Sequence, residues 1–600
     1  MSERRQILIL VIITAIIAVA ATQLGSAMVF SGGEAIVTHY TAVFHADGTL
    51  EETFTYRINV DGKRFLFRYW EAPLVNDDVG YPHIEVLDID APNGTYWYIV
   101  DKDGSLYAPE SIPSSSANTI SVMANRNEVG AFKPSSYPIG EYTVKYSFKI
   151  HPPIEFDSEY AHLNLKLASD HIPYQNVRVE IEDVGYIETV YAHPPTLRRS
   201  SNKNMIVFSG SSAEDELLEF EFLMSLNVMN YIDGYPNQIS DVRKQTVDAN
   251  NAYRFEYLVA SGFLWFNKLA TFLVPVGLYL FWTRFGKEKE YVVPQFLSMI
   301  PNKTRKPWIV NLVFKKDATD FDEDGFHATL LDMHEKGKIK VSAVGQDVEI
   351  ELINERGLDR YELEVMNFLQ KIDRNGVIKT EYMDQLVASA QNDTLAETKV
   401  LDLMNHYNRL VAGTDNEVAG EYTTNGRAKL VPLLILSALL TFAPLISMIF
   451  YNNPKLILLS AAGYGAITLL QNILAVIFPT TLFGYWKEDT YREKLQWDAF
   501  KRHLQDFSRL EQYGPEDINM WGPWLVYGSA LGIGEQVAQA MEKLEIDYPT
   551  MHLVPMYGYW FRPIYTARTP SMRSKSRGGS GGGGSFGGGG GFGGGGGGVR

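Results

Sequence analysis

Cysteine is absent from all 600 residues. The lack excludes disulfide staples, thiolate zinc sites and thiol catalysis anywhere in the chain. Histidine is scarce, with 12 scattered residues. No glycine-rich phosphate loop ending in Lys-Ser or Lys-Thr occurs, and no Gly-x-Ser-x-Gly elbow. His334-Glu335 lacks the second histidine of a metalloprotease helix. Gly532-Ile533-Gly534 lacks the third glycine and the preceding strand of a dinucleotide site. Nothing in the sequence forces a reaction, a cofactor or a metal, so the expectation is a protein without a catalytic set.

Long apolar stretches are what the chain does have. They lie near Ile7–Ala21, Leu258–Trp282, Leu430–Tyr451 and Leu456–Tyr485. About 20 apolar residues cross a bilayer as a helix. The last two are separated by only Asn452, Asn453, Pro454 and Lys455, which predicts a helical hairpin. The first is short, preceded by Arg4 and Arg5 and followed by Gly25-Ser26-Ala27. That is the layout of a secretory signal, with an uncleaved anchor as the alternative.

Flanking charge orients the spans. Arg284, Lys287 and Lys289, then Arg427 and Lys429, then Lys487, Arg492 and Lys494 fall on one face with Arg4 and Arg5. Basic residues resist translocation, so this face is expected to be cytoplasmic. The expected order is a signal or anchor at 1–27, an exported domain at 28–227 and a juxtamembrane connector at 228–256. A span at 257–283, an inner module at 284–428 and a membrane hairpin at 429–486 follow. An inner or interfacial helical region at 487–570 and a disordered glycine-rich tail at 571–600 end the chain. Residues 28–256 would lie outside, and 284–428 and 487–600 inside, in a multi-pass cell-membrane protein.

The exported part reads as all-β and sandwich-like. Ala35–Phe44 and Thr53–Val60 alternate apolar and polar side chains around an Asp47-Gly48 turn. Tyr142–Ile150 and Val177–Ile181 repeat the pattern. Residues 29–256 hold 33 Asp and Glu against 17 Lys and Arg, a net of −16, out of −17 for the whole chain. Such a domain repels nucleic acid and stays soluble. Asn93-Gly94-Thr95 fits a glycosylation acceptor on the exported side.

The inner module reads as α/β and winged-helix-like. A helix over Phe326–Lys336, strands over Lys338–Val344 and Val348–Ile353, and a helix over Leu358–Ile372 give the pattern. Residues 283–429 carry 25 acidic and 20 basic side chains, so protein rather than nucleic acid is the expected partner. Asp320, Asp322, Asp324 and Gly325 match the start of a calcium loop, but Leu331 stands where the bidentate glutamate belongs. Helix capping is the simpler role for these acids. Trp497, Phe500, Leu504, Phe507 and Leu510 share one helical face.

One charge falls inside a span. Lys268 either snorkels toward the interface or pairs with Gln471 and Asn472, in the middle of the fourth stretch.

The chain resembles the YciQ-like predicted membrane proteins, a family of unknown function. His327–Gly337 (HATLLDMHEKG), Trp497–Lys501 (WDAFK), Trp524–Gly532 (WLVYGSALG) and the ending Gly581–Gly598 carry the likeness. The resemblance implies a membrane protein and supplies no activity or site residue. The resulting expectation is a non-enzymatic binding, scaffold or signalling component of the envelope. It would meet membrane lipid, and would meet protein partners through the outer domain and the inner module. A part in transport or membrane remodelling is the alternative.

Overall fold

The computed structural model describes residues 3–29, 33–75, 80–344, 347–413, 415–451, 453–556, 560–567 and 592–600. It divides into two compact units. One comprises Met1–Ile16, Phe272–Ser437 and Thr468–Gly583; the other comprises Ile17–Thr271, Ala438–Ile467 and Gly584–Arg600.

Among the described residues, four helices are long and apolar enough to cross a membrane: Glu3–Thr22 within the helix Glu3–Val29, then Val242–Phe285, Gly426–Ser447 and Lys455–Ile477. The first packs as part of a bundle. Its Ile7 and Leu10 are buried with Leu278, Trp282, Leu430 and Ala475. The second is a single helix of 44 residues. The second half of the polar stretch expected to be a connector at 228–256, from Val242 on, is therefore its first turns.

The β-rich unit is built on a seven-stranded sheet. Its order is Arg198–Asn202, Met205–Ser212, Tyr174–Glu182, Ala35–Phe44, Thr49–Ile58, Gly140–His151 and His83–Asp90. The Asp47-Gly48 turn forms as its chemistry requires, with Gly48 at φ 88°. Ala35–Phe44 pairs parallel with Tyr174–Glu182, where the alternation suggested antiparallel neighbours. Turn pairs announce hairpins, but nothing local announces a parallel partner more than 100 residues away.

A second sheet runs Ile187–His193, Leu218–Ser225, Tyr160–Ala168, Pro153–Phe156 and Tyr235–Gln238. Side chains from both sheets, among them Phe44, Phe54, Tyr174, Leu165 and Phe222, share one core. Tyr235–Gln238 carries the fold beyond the expected end at 227. This four-residue edge strand contains Pro236, so it shows no alternation to read.

The last nine residues are not disordered. Phe592–Gly593 and Gly596–Val599 are strands, the second joining a third sheet beside Phe65–Tyr69, Glu128–Phe132 and Tyr96–Val100. Backbone pairing holds them, which needs no side chain and leaves no compositional trace. Residues 571–591 of the expected tail lie outside the described residues.

In the other unit, the helix Glu323–Glu335 is capped by Asp322, whose side chain accepts the Asp324 N–H. The hairpin Ile339–Val344 and Asp347–Leu352 follows, then the helix Arg360–Ile372 with its Asp359–Glu362 capping box. A third strand, Val377–Lys379, completes the sheet. The helices Thr490–Gln505 and Ile518–Ala530 bury Trp497, Phe500, Leu504, Trp521, Trp524 and Leu525 in the same core as Phe326, Leu330 and Phe368. The segments on either side of the membrane hairpin therefore form one body. Phe507 falls outside the predicted stripe and is exposed, because the helix breaks at Asp506.

Candidate functional site

The third apolar helix begins at Gly426 against the loop that ends the fourth. A Cβ at Gly426 would come within 2.5 Å of the Phe483 carbonyl carbon, so only glycine lets these backbones touch. The contact fixes Arg427, which donates to Asp317 at 2.8 Å and to the Val476 carbonyl at 3.1 Å. Both oxygens of Asp317 accept the Thr480 N–H at 2.9 Å. Burial pushes the Asp317 carboxyl up, against the opposing pull of the Thr480 N–H and Arg427.

Lys315 ends a π-type turn, Val310–Lys315, and is almost fully buried between Asp322 and Asp324. Burial works against the charge on Asp322, but Lys315 and Asn311 outweigh it and hold the carboxyl below its usual range. Most of the acidic run thus has a structural role, in capping and in pairing with lysine. Among the described residues, no group of three or more His, Asp or Glu side chains could hold a metal ion.

The helix Thr490–Gln505 supplies the opposite wall. Tyr491, Lys494, Asp498, Lys501 and Gln505 recur every three or four residues and face a cavity, while Trp497, Phe500 and Leu504 face the core. Lys494 pairs with Asp498 one turn on. Lys501 donates to the Leu531 carbonyl at 2.7 Å. Leu531 closes the helix Ile518–Ala530, and Gly532 follows at φ 76°, so a cation sits at a negative helix end. Arg502 donates to the Gln295 carbonyl at 2.9 Å.

The cavity so enclosed measures about 870 Å³. Six cations line it (Lys315, Lys316, Arg427, Lys494, Lys501 and Arg502) against four carboxylates, Glu3, Asp317, Asp320 and Asp498. Ile477, Pro479, Trp486 and Leu495 give it an apolar flank. Burial first, then Lys315 and Lys494, push the Lys501 ammonium below the usual lysine range, against the opposing pull of Asp498 and Asp324. An anion entering here would relieve that repulsion.

The polar residues weighed inside the apolar stretches, Lys268, Gln471 and Asn472, have the following contacts. Lys268 lies over the Trp265 and Tyr464 rings, 5.4 Å from each centroid. Its neighbour Asn267 is buried and donates to the Leu440 and Ala461 carbonyls at 2.8 Å. Gln471 donates to the Thr14 carbonyl at 2.8 Å, and Asn472 to Thr468 at 3.1 Å. Asn93 stands exposed in a turn.

No local motif marks the cavity, because its cations come from three separated segments: Lys315–Lys316, Arg427 and the helix Thr490–Gln505. One signal was present: Asp498 and Lys501 belong to the Trp497–Lys501 segment, and Gly532 ends the Trp524–Gly532 segment, both quoted for the family resemblance.

Comparisons with known proteins follow the same division. Residues 37–224 match the N-terminal domain described as "Predicted membrane protein (DUF2207)", and residues 293–541 match its C-terminal domain. No curated protein sequence matches the chain. Among solved structures, an M1 zinc metallopeptidase from Deinococcus radiodurans is similar at 10% identity and a TM-score of 0.18, over 32% of this chain and 42% of its own. A putative protease from Parabacteroides distasonis is similar at 12% identity and a TM-score of 0.18, over 32% and 40%. Yeast LTA4 hydrolase is similar at 8% identity and a TM-score of 0.20, over 89% and 96%. The chain thus spans about two fifths of the first-matched metallopeptidase, and scores this low establish no shared fold. With both of its domains matched, the chain belongs to the DUF2207 family of predicted membrane proteins.

Proposed function

We propose that this protein is a non-enzymatic binding component of the cell envelope, and that its inner cavity seats a phosphate-bearing anionic headgroup. The carrying observation is the cavity of about 870 Å³, lined by six cations of which Lys501 and Arg502 are held by carbonyls, beside an apolar flank. Basic pockets at the cytoplasmic ends of membrane helices suit anionic lipid. The cavity is lined by Glu3 and Gln6 of the first apolar helix, Arg427 of the third and Ile477 of the fourth. The charge bias of the flanking segments supports placing this end in the cytoplasm and the β-rich domain outside. The packing of Ile7 and Leu10 supports an anchor rather than a removed signal.

In this reading the exported domain is sandwich-like, its two sheets sharing one core. It offers a partner-binding surface and an exposed acceptor at Asn93. The winged-helix-like element, made of the capped helix and three-stranded sheet, serves protein contacts. Transport is the second reading. The intramembrane amides speak against it, since Asn267 and Gln471 spend their N–H groups on helix carbonyls rather than on a shared channel.

The test is thermal unfolding of the purified full chain in neutral detergent with lysophosphatidylglycerol, lysophosphatidylcholine or inorganic phosphate. A rise with the anionic lipid alone, lost in Lys494→Gln/Lys501→Gln, supports a lipid headgroup. A rise with phosphate alone points to a soluble phosphate ligand. Equal shifts for both lipids in both proteins would refute the site.

A further inference from the structure

The seven-stranded sheet of the β-rich unit ends in two edge strands of opposite charge. One edge is Arg198–Asn202, every residue of which is exposed. Arg198 and Arg199 open it, and Lys203 follows in the turn at φ 50°. Residues 29–256 hold 33 acids against 17 bases, yet among the described residues no acid pairs with any of these three. The other edge is His83–Asp90. Ile84 is covered, donating to the Pro73 carbonyl at 2.9 Å and accepting the Val75 N–H at 3.0 Å. Among the described residues, no strand lies beyond Glu85–Asp90. This edge carries Glu85, Asp88 and Asp90. Glu85 and Asp90 reach only loose partners, His151 at 3.8 Å and Lys145 at 3.7 Å. Asp88 has no partner among the described residues.

The register puts the three acids on one face. Glu85, Asp88 and Asp90 stand opposite Lys149, Ser147 and Lys145, while Val86 and Ile89 stand opposite the buried Phe148 and Tyr146. A bulge at Leu87 keeps Asp88 in phase with Glu85. The acids therefore lie on the face turned away from the core. Arg198 shares that face, standing opposite Ser209, whereas Arg199 stands opposite the core residue Phe208. Strand directions fit as well. Through the pairings across the sheet, Arg198–Asn202 runs with Ala35–Phe44, and His83–Asp90 runs against it. A second copy set head to tail therefore brings the two edges together antiparallel. Asp90 then meets the Arg198 end and Glu85 the Lys203 end, and the two members of each strand are five positions apart.

We infer that the Arg198–Asn202 edge docks the His83–Asp90 edge of a second copy of this chain, so that the sheet continues from one copy to the next. Exposed edges invite pairing, and charge of one sign on both edges would keep copies apart. Here the signs are opposite, so the same charges draw the edges together and set their direction. Main-chain bonds give the contact its geometry, as in strand addition to a sheet edge. Each copy offers a different edge, so the interface is head to tail and extends beyond two copies. One short strand pair is a small contact. Confinement of the copies to one membrane supplies the concentration it needs.

The absence of cysteine makes the test direct. Leu87→Cys and Ser200→Cys are placed in separately tagged full chains, produced together, and treated in native membranes with a short bis-maleimide. Both positions are exposed. Within one chain the two edges lie six strand spacings apart, roughly 29 Å, out of reach of the reagent. The expected product joins one chain of each kind, about tenfold above products joining two of the same kind. A chain carrying both substitutions should give trimers and longer species as well as dimers. Arg198→Glu/Arg199→Glu in the Ser200→Cys chain should lower the mixed product by about tenfold, and Asp88→Lys/Asp90→Lys in the Leu87→Cys chain should restore it. All four charges are exposed, so their reversal leaves the core intact. Same-kind products equal to the mixed product overturn the head-to-tail assignment. No mixed product, from cysteines that a monofunctional maleimide labels, overturns the docking itself. A mixed product indifferent to both charge reversals overturns its electrostatic basis.

Discussion

Among the described residues, both units close buried ion pairs, but only one of them also turns cations held by carbonyls toward a cavity. In the β-rich unit each buried ion finds a partner held by backbone: Arg68 meets Glu52, and Glu128 meets Arg600 on an added strand. In the other unit, cations gather around open volume. Lys315, Lys316, Arg427 and Lys494 have carboxylate partners, while Lys501 and Arg502 lean on carbonyls. Closed pairs specify an arrangement and resist change. Cations held only by carbonyls and facing a cavity keep charge to offer an anion that arrives.

Breaking the closed side should have the largest effect. Arg600→Ala leaves Glu128 buried without its cation and should destabilise the β-rich unit by about 3 kcal/mol. Differential scanning calorimetry of the full chain reads this, and Glu128→Gln on the same background should recover most of it. On the open side, Lys501→Gln should weaken binding of an anionic lysolipid by about 1–2 kcal/mol while leaving the unfolding temperature of the empty protein within a few degrees. Titration calorimetry against the wild type checks both halves of that statement.

A third prediction concerns pH. His193 is buried between Glu219, at 2.9 Å, and Asn250, also at 2.9 Å, and stacks on Tyr253. Asn250 donates to Glu221, which also accepts from His162, itself paired with Glu155. Burial alone would lower the His193 pKa, but Glu219, Asn250 and Glu221 outweigh it and hold it above the ordinary value. A raised folded-state pKa contributes stability fully below the unfolded value of about 6.5, and that stability is lost as pH rises through the folded value. The unfolding temperature of the β-rich unit should therefore fall as pH rises past about 6.5, and Glu219→Gln should flatten the slope. The smallest effect is expected at Lys268. Its contacts are two aromatic faces, so Lys268→Leu should shift stability by less than about 1 kcal/mol in a denaturation assay.

How far these contrasts were legible in the sequence follows from the range of the interactions. The apolar helices and the hairpin Ala35–Phe44 with Thr49–Ile58 are local patterns, and they stand where periodicity and turn chemistry put them. The parallel partner of Ala35–Phe44, the strand Tyr235–Gln238 and the docked strand Gly596–Val599 depend on distant backbone pairing. Glycine in Gly596–Gly598 reads as disorder until the wall formed by Phe54, Tyr56 and Phe67 is known. At the cavity, Arg427 and Lys494 were visible only as orienting charges, and Lys501 only as part of a quoted segment. Lys268, Gln471 and Asn472 drew notice because charge and amides are rare in a span. In the fold their contacts are to rings and carbonyls of packed helices.

The central claim is that the open wall holds an anionic headgroup, and native mass spectrometry of the full chain released from a membrane of mixed phosphatidylglycerol and phosphatidylcholine tests it most directly. The account predicts retention of phosphatidylglycerol by the wild type and its loss in Lys494→Gln/Lys501→Gln. Equal retention of both lipids, or undiminished retention of phosphatidylglycerol by the variant, would contradict it.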